Sequence, residues 1–184
     1  MKRFSALAAA VLFVCAGTPA PALAQGEQDE WAASSTGHLA FINRDDGTSV
    51  LRVLDPEGRH APPEVVTTTT SEPLVAMGPR GDAIVVWYDN DEMLWARYRP
   101  AAGPLGPPER VSDQPVDFGP ESVDVGLDAS GNATVVWPPA NPRPGAELLV
   151  RTRTETGTWS APQTFGALNV YSADLAVSDN GGAV

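Results

Sequence analysis

The sequence predicts an all-β fold made of tandem four-stranded units. Glycines recur at intervals of 44, 50 and 50 residues, and we call these four positions the ladder glycines: Gly37, Gly81, Gly131 and Gly181. After two of them the sequence is nearly the same, since Gly81-Asp-Ala-Ile-Val-Val-Trp87 is matched by Gly131-Asn-Ala-Thr-Val-Val-Trp137. Self-similarity at this period, carried by strand-like segments, is typical of the blades of a β-propeller.

The first two strands of each unit flank a ladder glycine. The first strand is predicted from alternating apolar residues at Glu72–Met77, Ser122–Leu127 and Ala173–Val177. The glycine supplies the positive φ that a tight hairpin turn requires. The second strand, at Ala83–Trp87 and Ala133–Trp137, is continuous in apolar residues, which predicts a strand covered on both faces.

The third and fourth strands follow a polar connection of variable length. The third strand is predicted at Ser49–Leu54, Met93–Arg99 and Glu147–Thr154. Prolines then precede the short fourth strand, as in Glu64–Val66 and Glu109–Val111. Proline is confined to edge strands, so this strand is predicted to lie at the outer edge of its unit.

Two pairs of arginines and two pairs of tryptophans repeat with the units. Arginines at i and i+2 of the third strand project from one face, at Arg97 with Arg99 and Arg151 with Arg153. Their repetition in register predicts pairing with acidic residues of the adjacent unit. Trp87 and Trp137 end equivalent apolar strands and are predicted to lie in the core between units. Trp95 and Trp159 are predicted to pack as well, with partial exposure as sugar-stacking platforms as the alternative.

The third repeat contains the arginine pair of the third strand, Arg151 and Arg153, followed by the spacing Gly-x-Trp-x-x-Pro at Gly157, Trp159 and Pro162. On these residues the chain from about Gly37 to Val184 resembles the propeller repeats of exported bacterial proteins, of the NHL-like and sialidase-like kinds. The sialidase Asp box requires Ser-x-Asp-x-Gly-x-Thr-Trp, whereas this chain has Ser178-Asp-Asn-Gly181 and Asp128-Ala-Ser-Gly131. The family's substrate rules are therefore not transferred. Sialidase-type propellers also bind a carboxylate through arginines on inner strands, and here the arginines lie on the third strand.

The N-terminus indicates export. Lys2 and Arg3 precede an apolar run at residues 6–16, and Ala22-Leu23-Ala24 offers a cleavage site, which together predict a secretory signal peptide. The run is shorter than the roughly 20 residues of a membrane span. The single cysteine, Cys15, lies within it, and Val14 stands where a lipobox requires a small residue, so we expect no lipid anchor. The mature chain is expected to be extracellular and free of disulfides.

Charge limits the choice of partners. Without Lys2 and Arg3 the 12 basic residues fall to 10, against 23 acidic ones, so the net charge moves from −11 to −13. Nucleic acid and anionic lipid are poor partners for such a chain. Acidity of this kind is typical of a protein that stays soluble outside the cell.

The predicted organisation is a series of repeats that ends within a unit. Its parts are a signal peptide at 1–24, an N-terminal segment at 25–36, repeats at 37–67, 68–112 and 113–166, and the start of a fourth repeat at 167–184. A closed propeller takes about four to eight blades. We therefore expect a fragment of a larger propeller or, as the alternative, closure by self-association.

No residue pattern predicts catalysis, a cofactor or a metal site. His38 and His60 are the only histidines and are not spaced as metal ligands, and the mature chain has no cysteine. Neither a nucleophile elbow nor a phosphate-binding loop is present. The remaining candidates for ligand contact are at an exposed hairpin tip, namely Asp89, Asp91, Glu92 and Trp95.

Two functions are compatible with these patterns. The favoured hypothesis is a secreted, non-catalytic propeller that binds an extracellular protein or glycan and serves as a scaffold. The alternative is a fragment of a carbohydrate-active propeller, a sialidase-like hydrolase or a lyase, whose catalytic residues lie on other blades.

Overall fold

The computed structural model describes residues 30–69, 72–116, 122–139, 147–165, 175 and 177. Twelve strands within these ranges form three four-stranded antiparallel sheets, each with its strands in chain order. Sheet 1 contains β1 (Trp31–Ala33), β2 (Leu39–Asp45), β3 (Thr48–Leu54) and β4 (Glu64–Thr67). Sheet 2 contains β5 (Leu74–Met77), β6 (Ala83–Tyr88), β7 (Leu94–Arg99) and β8 (Glu109–Arg110). Sheet 3 contains β9 (Asp124–Leu127), β10 (Ala133–Trp137), β11 (Leu148–Arg153) and β12 (Gln163–Phe165).

The all-β prediction and the four-stranded units are confirmed. Strands β6, β7 and β10 begin and end within one residue of the segments predicted for them. Strand β1 lies in the stretch 25–36, which the sequence assigned to an N-terminal segment, and it supplies sheet 1 with its first strand. The predicted signal peptide, most of the fourth repeat and Gly181 lie outside the described residues.

Five hairpin turns are built in the same way. A short polar side chain accepts a hydrogen bond from the backbone NH four residues later, at Ser34, Asp55, Asp89, Asp128 and Thr154. The residue three positions after it has a positive φ, at Gly37, Gly58, Glu92, Gly131 and Gly157. Glycine adopts this conformation without the cost that a side chain adds, which explains its recurrence there.

The sheets pack face to face, and sheet 2 lies between the other two. Ala83, Val85 and Trp87 of β6 join a core with residues of sheet 1. The alternate residues Ile84 and Val86 join a second core with residues of sheet 3. The strand is therefore covered on both faces, as its continuous apolar sequence predicts.

The first strands of the three sheets are neighbours. Strand β1 contacts β5, and β5 contacts β9. Leu175 and Val177 extend this series, because the Leu175 NH donates to Asp124 Oδ2 at 2.6 Å and Val177 lies against Gly126. The part of the chain that the structure describes contains no helix long and apolar enough to cross a membrane.

Candidate functional site

The repeated arginines join each sheet to the sheet before it. Arg99 of sheet 2 pairs with Glu64 of sheet 1, with 2.9 Å between Nε and Oε1. Arg153 of sheet 3 donates to both carboxylate oxygens of Glu109 in sheet 2, each at 2.7 Å. The predicted pairing with acidic residues of the adjacent unit is confirmed for Arg99 and Arg153. Both arginines are buried, so these pairs are part of the packed interface.

The other arginine of each pair binds backbone carbonyls. Arg97 Nη1 donates to the Val65 carbonyl of sheet 1 at 2.6 Å. Arg151 Nη1 donates in the same way to the Val111 carbonyl, just after β8, also at 2.6 Å. Each of them also donates its Nε to the loop after its own strand, at the Gly106 carbonyl for Arg97 and the Ser160 carbonyl for Arg151. These arginines hold the outer edge of one sheet on the face of the next.

Glu109 is the centre of the contact between sheets 2 and 3. Besides Arg153, it accepts a hydrogen bond from the Trp159 indole Nε1 at 2.7 Å. Burial opposes ionisation of Glu109, but the hydrogen bonds from Arg153 and Trp159 and the charge of Arg153 outweigh it and lower the pKa of the carboxyl. Trp159 is therefore half-buried against the core and fixed at its polar end.

Replacing Glu109 by glutamine should reduce both stability and its dependence on pH. The folded-state pKa lies below the unfolded value of about 4.3, so the ionised form stabilises the fold above that pH and this contribution is lost as the pH falls through the folded-state pKa. We expect Glu109→Gln to lower the free energy of unfolding by about 2 kcal/mol at pH 7, because Arg153 loses its charged partner. Below about pH 4.3 the variant should approach the parent.

Urea unfolding at several pH values between 7 and 3 measures this difference. Glu57→Gln is the control, because Glu57 pairs with Arg59 on the exposed surface and both side chains lie mainly in solvent. We expect that control to follow the parent across the whole pH range. A difference between Glu109→Gln and the parent that stays the same at pH 3 would contradict the assignment.

At the tip between β6 and β7, the predicted contact residues separate into two groups. Asp89 accepts from the backbone NH groups of Asp91 and Met93 and from the Trp95 indole at 2.6 Å. Burial opposes ionisation of Asp89, but these hydrogen bonds outweigh it and lower the pKa of the carboxyl. Asp89 and Trp95 thus stabilise the hairpin, whereas Asp91 and Glu92 are exposed. These two remain the side chains that the tip offers to a partner.

A second polar group, which the sequence did not predict, links sheets 2 and 3. Asp82 is completely buried, and its Oδ2 accepts from the Tyr98 hydroxyl at 2.9 Å and from Arg80 Nη2 at 3.3 Å. Arg80 extends to sheet 3, where it binds Glu155 at 3.0 Å and the Ser130 carbonyl at 2.9 Å. Burial and the bond to Asp82 raise the pKa of the Tyr98 phenol, so the hydroxyl stays protonated and donates.

Two clefts open at the ladder-glycine end of the sheets. The first cleft, between sheets 1 and 2, has a volume of about 230 Å³. Both histidines of the chain line it, together with Val53, Asp55, Arg59, Ala61, Gly81, Arg99 and Ala101. The second cleft, of about 270 Å³, lies on the far face of sheet 3 beside Thr152 and Val177.

Among the described residues, no three metal-ligating side chains come close enough together to hold an ion. Asp55 lies in the first cleft with the histidines, but it is engaged by the backbone NH groups of Glu57 and Arg59 and by the Arg59 guanidinium. The first cleft therefore offers two imidazole groups, while both of its guanidinium groups are already paired with carboxylates.

In comparisons with known proteins, no family model matches the chain and no curated protein matches it significantly. The geometry of the sheets, the tip and the clefts therefore carries the functional argument.

Proposed function

We propose that the chain is an exported, non-catalytic binding and scaffold module of the β-propeller type, which presents its hairpin tips to an extracellular protein or glycan. The propeller part of this proposal is supported by the order of the sheets. Each is a four-stranded meander, successive first strands are neighbours, and each sheet covers a face of the one before it. Radial repetition of such units is how propellers protect their sheets.

The fourth strands fit the outer position in this arrangement. Prolines precede β4 and β8 in the sequence, at Pro62 with Pro63 and at Pro107 with Pro108. Both strands are short, each pairs with the third strand of its own sheet, and an arginine of the next sheet binds a carbonyl in or just after it. Short, proline-flanked strands are how natural sheets protect an open edge.

The observation that carries the non-catalytic assignment is the use of charged side chains in the interfaces between sheets. Arg99 and Arg153 are neutralised by Glu64 and Glu109, and the phenol of Tyr98 is bound to Asp82. A catalytic acid, base or nucleophile must offer a reactive atom to substrate, and these groups are instead paired with one another in the interfaces. The exposed acidic pair Asp91 and Glu92 at the tip is free of this packing and is suited to contact a partner.

Binding of the full chain to an array of plant, fungal and bacterial glycans and to a panel of purified extracellular proteins tests the proposal. We expect saturable binding to one of these probes and at least a tenfold weaker affinity for Asp91→Ala. Glu57→Ala is the matched control, because it removes an exposed carboxylate at the opposite end of the sheets. Its affinity should equal that of the parent.

Release of reducing ends or unsaturated sugars from any glycan would contradict the non-catalytic assignment and favour the carbohydrate-active alternative. Binding that is unaffected by Asp91→Ala would show that the tip is not the contact surface. Failure to bind any probe would count against a binding function.

A further inference from the structure

The two interfaces between sheets are built from equivalent residues. At each interface, the residue that follows the ladder glycine of one sheet packs against the ladder glycine of the next sheet. His38 lies against Gly81, and Asp82 lies against Gly131. At both interfaces the third strand of the following sheet ends in an arginine. Arg99 lies opposite Ala83 in sheet 2, and Arg153 lies opposite Ala133 in sheet 3. The two interfaces can therefore be compared position by position.

They differ at the residue after the ladder glycine, which is His38 in sheet 1 and Asp82 in sheet 2, and at one position on the third strand of the preceding sheet. Tyr98 lies opposite Ile84, three residues after the ladder glycine of sheet 2. Val53 lies opposite Ala40, three residues after the ladder glycine of sheet 1. A phenol ring between sheets 2 and 3 thus corresponds to an isopropyl group between sheets 1 and 2.

The contacts of Tyr98 show how the interface between sheets 2 and 3 binds a phenol group. Its ring lies beneath the guanidinium of Arg153, with 4.6 Å between Cζ and the ring centroid. Its hydroxyl donates to Asp82 at 2.9 Å and lies close to Gly131, 2.7 Å from where a β-carbon on that glycine would stand. A cation over the ring, a polar partner for the hydroxyl and a glycine together make a complete phenol site.

Between sheets 1 and 2 the corresponding parts line an open space. The first cleft, of about 230 Å³, is lined by Val53, Gly81, His38 and Arg99, which occupy the positions equivalent to Tyr98, Gly131, Asp82 and Arg153. This volume is below the roughly 300 Å³ at which pockets for drug-sized ligands begin, so it suits a single ring. His38 Nδ1 is 3.0 Å from the Thr36 hydroxyl, which leaves Nε2 on the side of the ring that faces Gly81.

We propose that the first cleft binds a planar ring that carries a hydroxyl group, of the phenol class, in the place that the Tyr98 side chain takes in the next interface. Arg99 covers the ring face, the His38 imidazole pairs with the hydroxyl, and Val53 supplies the apolar wall. The guanidinium of Arg99 is already held by Glu64 at 2.9 Å, so it is positioned before the ligand arrives.

Either a free phenolic molecule or a tyrosine side chain of a partner protein supplies this chemistry. The site is separate from the proposed function, because the cleft lies at the ladder-glycine end of the sheets and Asp91 lies at the other end. Loss of binding at the tip therefore leaves this site untouched.

Titration of the full chain with p-cresol, followed by proton NMR, tests the proposal without any substitution. The chain has only two histidines and both line the first cleft, so their imidazole signals report on this site alone. We expect saturable shifts of these signals with p-cresol. Toluene, which lacks the hydroxyl, and 4-methylcyclohexanol, which lacks the planar ring, should each bind at least tenfold more weakly.

A tyrosine-containing peptide identifies the source of the ligand. Binding tenfold tighter than that of p-cresol indicates a protein partner, and equal or weaker binding indicates a small molecule.

Val53→Tyr supplies the side chain that the cleft lacks and should weaken p-cresol binding at least tenfold. Val53→Thr is the matched control, because Thr152 stands at this position in sheet 3, and its affinity should stay within twofold of the parent. Circular dichroism establishes that both variants fold. Histidine signals that do not respond to p-cresol in the parent would overturn the proposal, and so would unchanged affinity in a folded Val53→Tyr.

Discussion

Replacing Trp137 by alanine is expected to lower the free energy of unfolding by about 3 to 5 kcal/mol, the usual cost of removing a large core aromatic side chain. Trp137 is 2% exposed and belongs to the core between sheets 2 and 3. That core contains Leu94 and Tyr98 of sheet 2, so the cavity would open between two sheets rather than within one. Packed sheets relax little into such a space, which keeps the cost high.

Urea denaturation followed by far-ultraviolet circular dichroism measures this loss. Trp31→Ala is the control, because Trp31 is 58% exposed on β1 and its removal leaves no buried cavity. We expect the control to change the free energy of unfolding by less than about 1 kcal/mol. A loss below about 1 kcal/mol for Trp137→Ala would contradict its place in the core between the sheets.

Local patterns in the sequence located the second strands β6 and β10 and the third strand β7, whereas β1 lies in a stretch for which no strand was predicted. The apolar run Ala83–Trp87 and its counterpart Ala133–Trp137 match β6 and β10, because a strand buried on both faces selects for continuous apolar residues. The pairing of Arg99 and Arg153 with the preceding sheet also followed from sequence, since residues at i and i+2 share a face and the pattern repeats in register.

The contacts of Asp82 could not be predicted from local patterns in the sequence. A carboxylate one residue after a turn is ordinarily exposed, and its burial depends on Gly131 of the next sheet, 50 residues after Gly81. The sequence does carry a signal, because Asp82 and Tyr98 occupy the repeat positions that hold His38 and Val53 in sheet 1. Both positions belong to one sheet and meet where it packs on the ladder glycine of the next sheet, which only the packing of the sheets reveals.

The hydrogen bonds of Asp89 within its own turn could have been predicted from the sequence. An aspartate that accepts from backbone NH groups two and four residues later is a common turn motif. Asp55 and Asp128 make the same pair of bonds in their own turns. What the sequence could not supply is the bond from the Trp95 indole, which depends on the register of β6 and β7.

Replacing Gly131 by alanine is expected to cost about 3 kcal/mol of unfolding free energy, roughly 1 from the left-handed backbone and about 2 from the disturbed polar group behind it. Gly131 has a φ of 82°. A β-carbon there would stand 2.7 Å from the Tyr98 hydroxyl and 2.9 Å from Asp82 Oδ2, and would overlap the end of Arg80. Arg80 is flexible and can move aside, whereas Tyr98 and Asp82 are buried and bound to each other.

Gly58→Ala separates the backbone contribution from the contacts. Gly58 has a nearly identical φ of 78°, and a β-carbon there would meet no atom within 4 Å. That variant should lose only the roughly 1 kcal/mol of left-handed strain. Combining Gly131→Ala with Tyr98→Phe tests the mechanism further. If the alanine acts by disturbing the bond between Tyr98 and Asp82, the double variant should lose less free energy of unfolding than the two single variants lose together. Equal losses for Gly58→Ala and Gly131→Ala would mean that the interface at the ladder glycine tolerates a side chain, and the close packing of Asp82 and Tyr98 on Gly131 would then contribute little to stability.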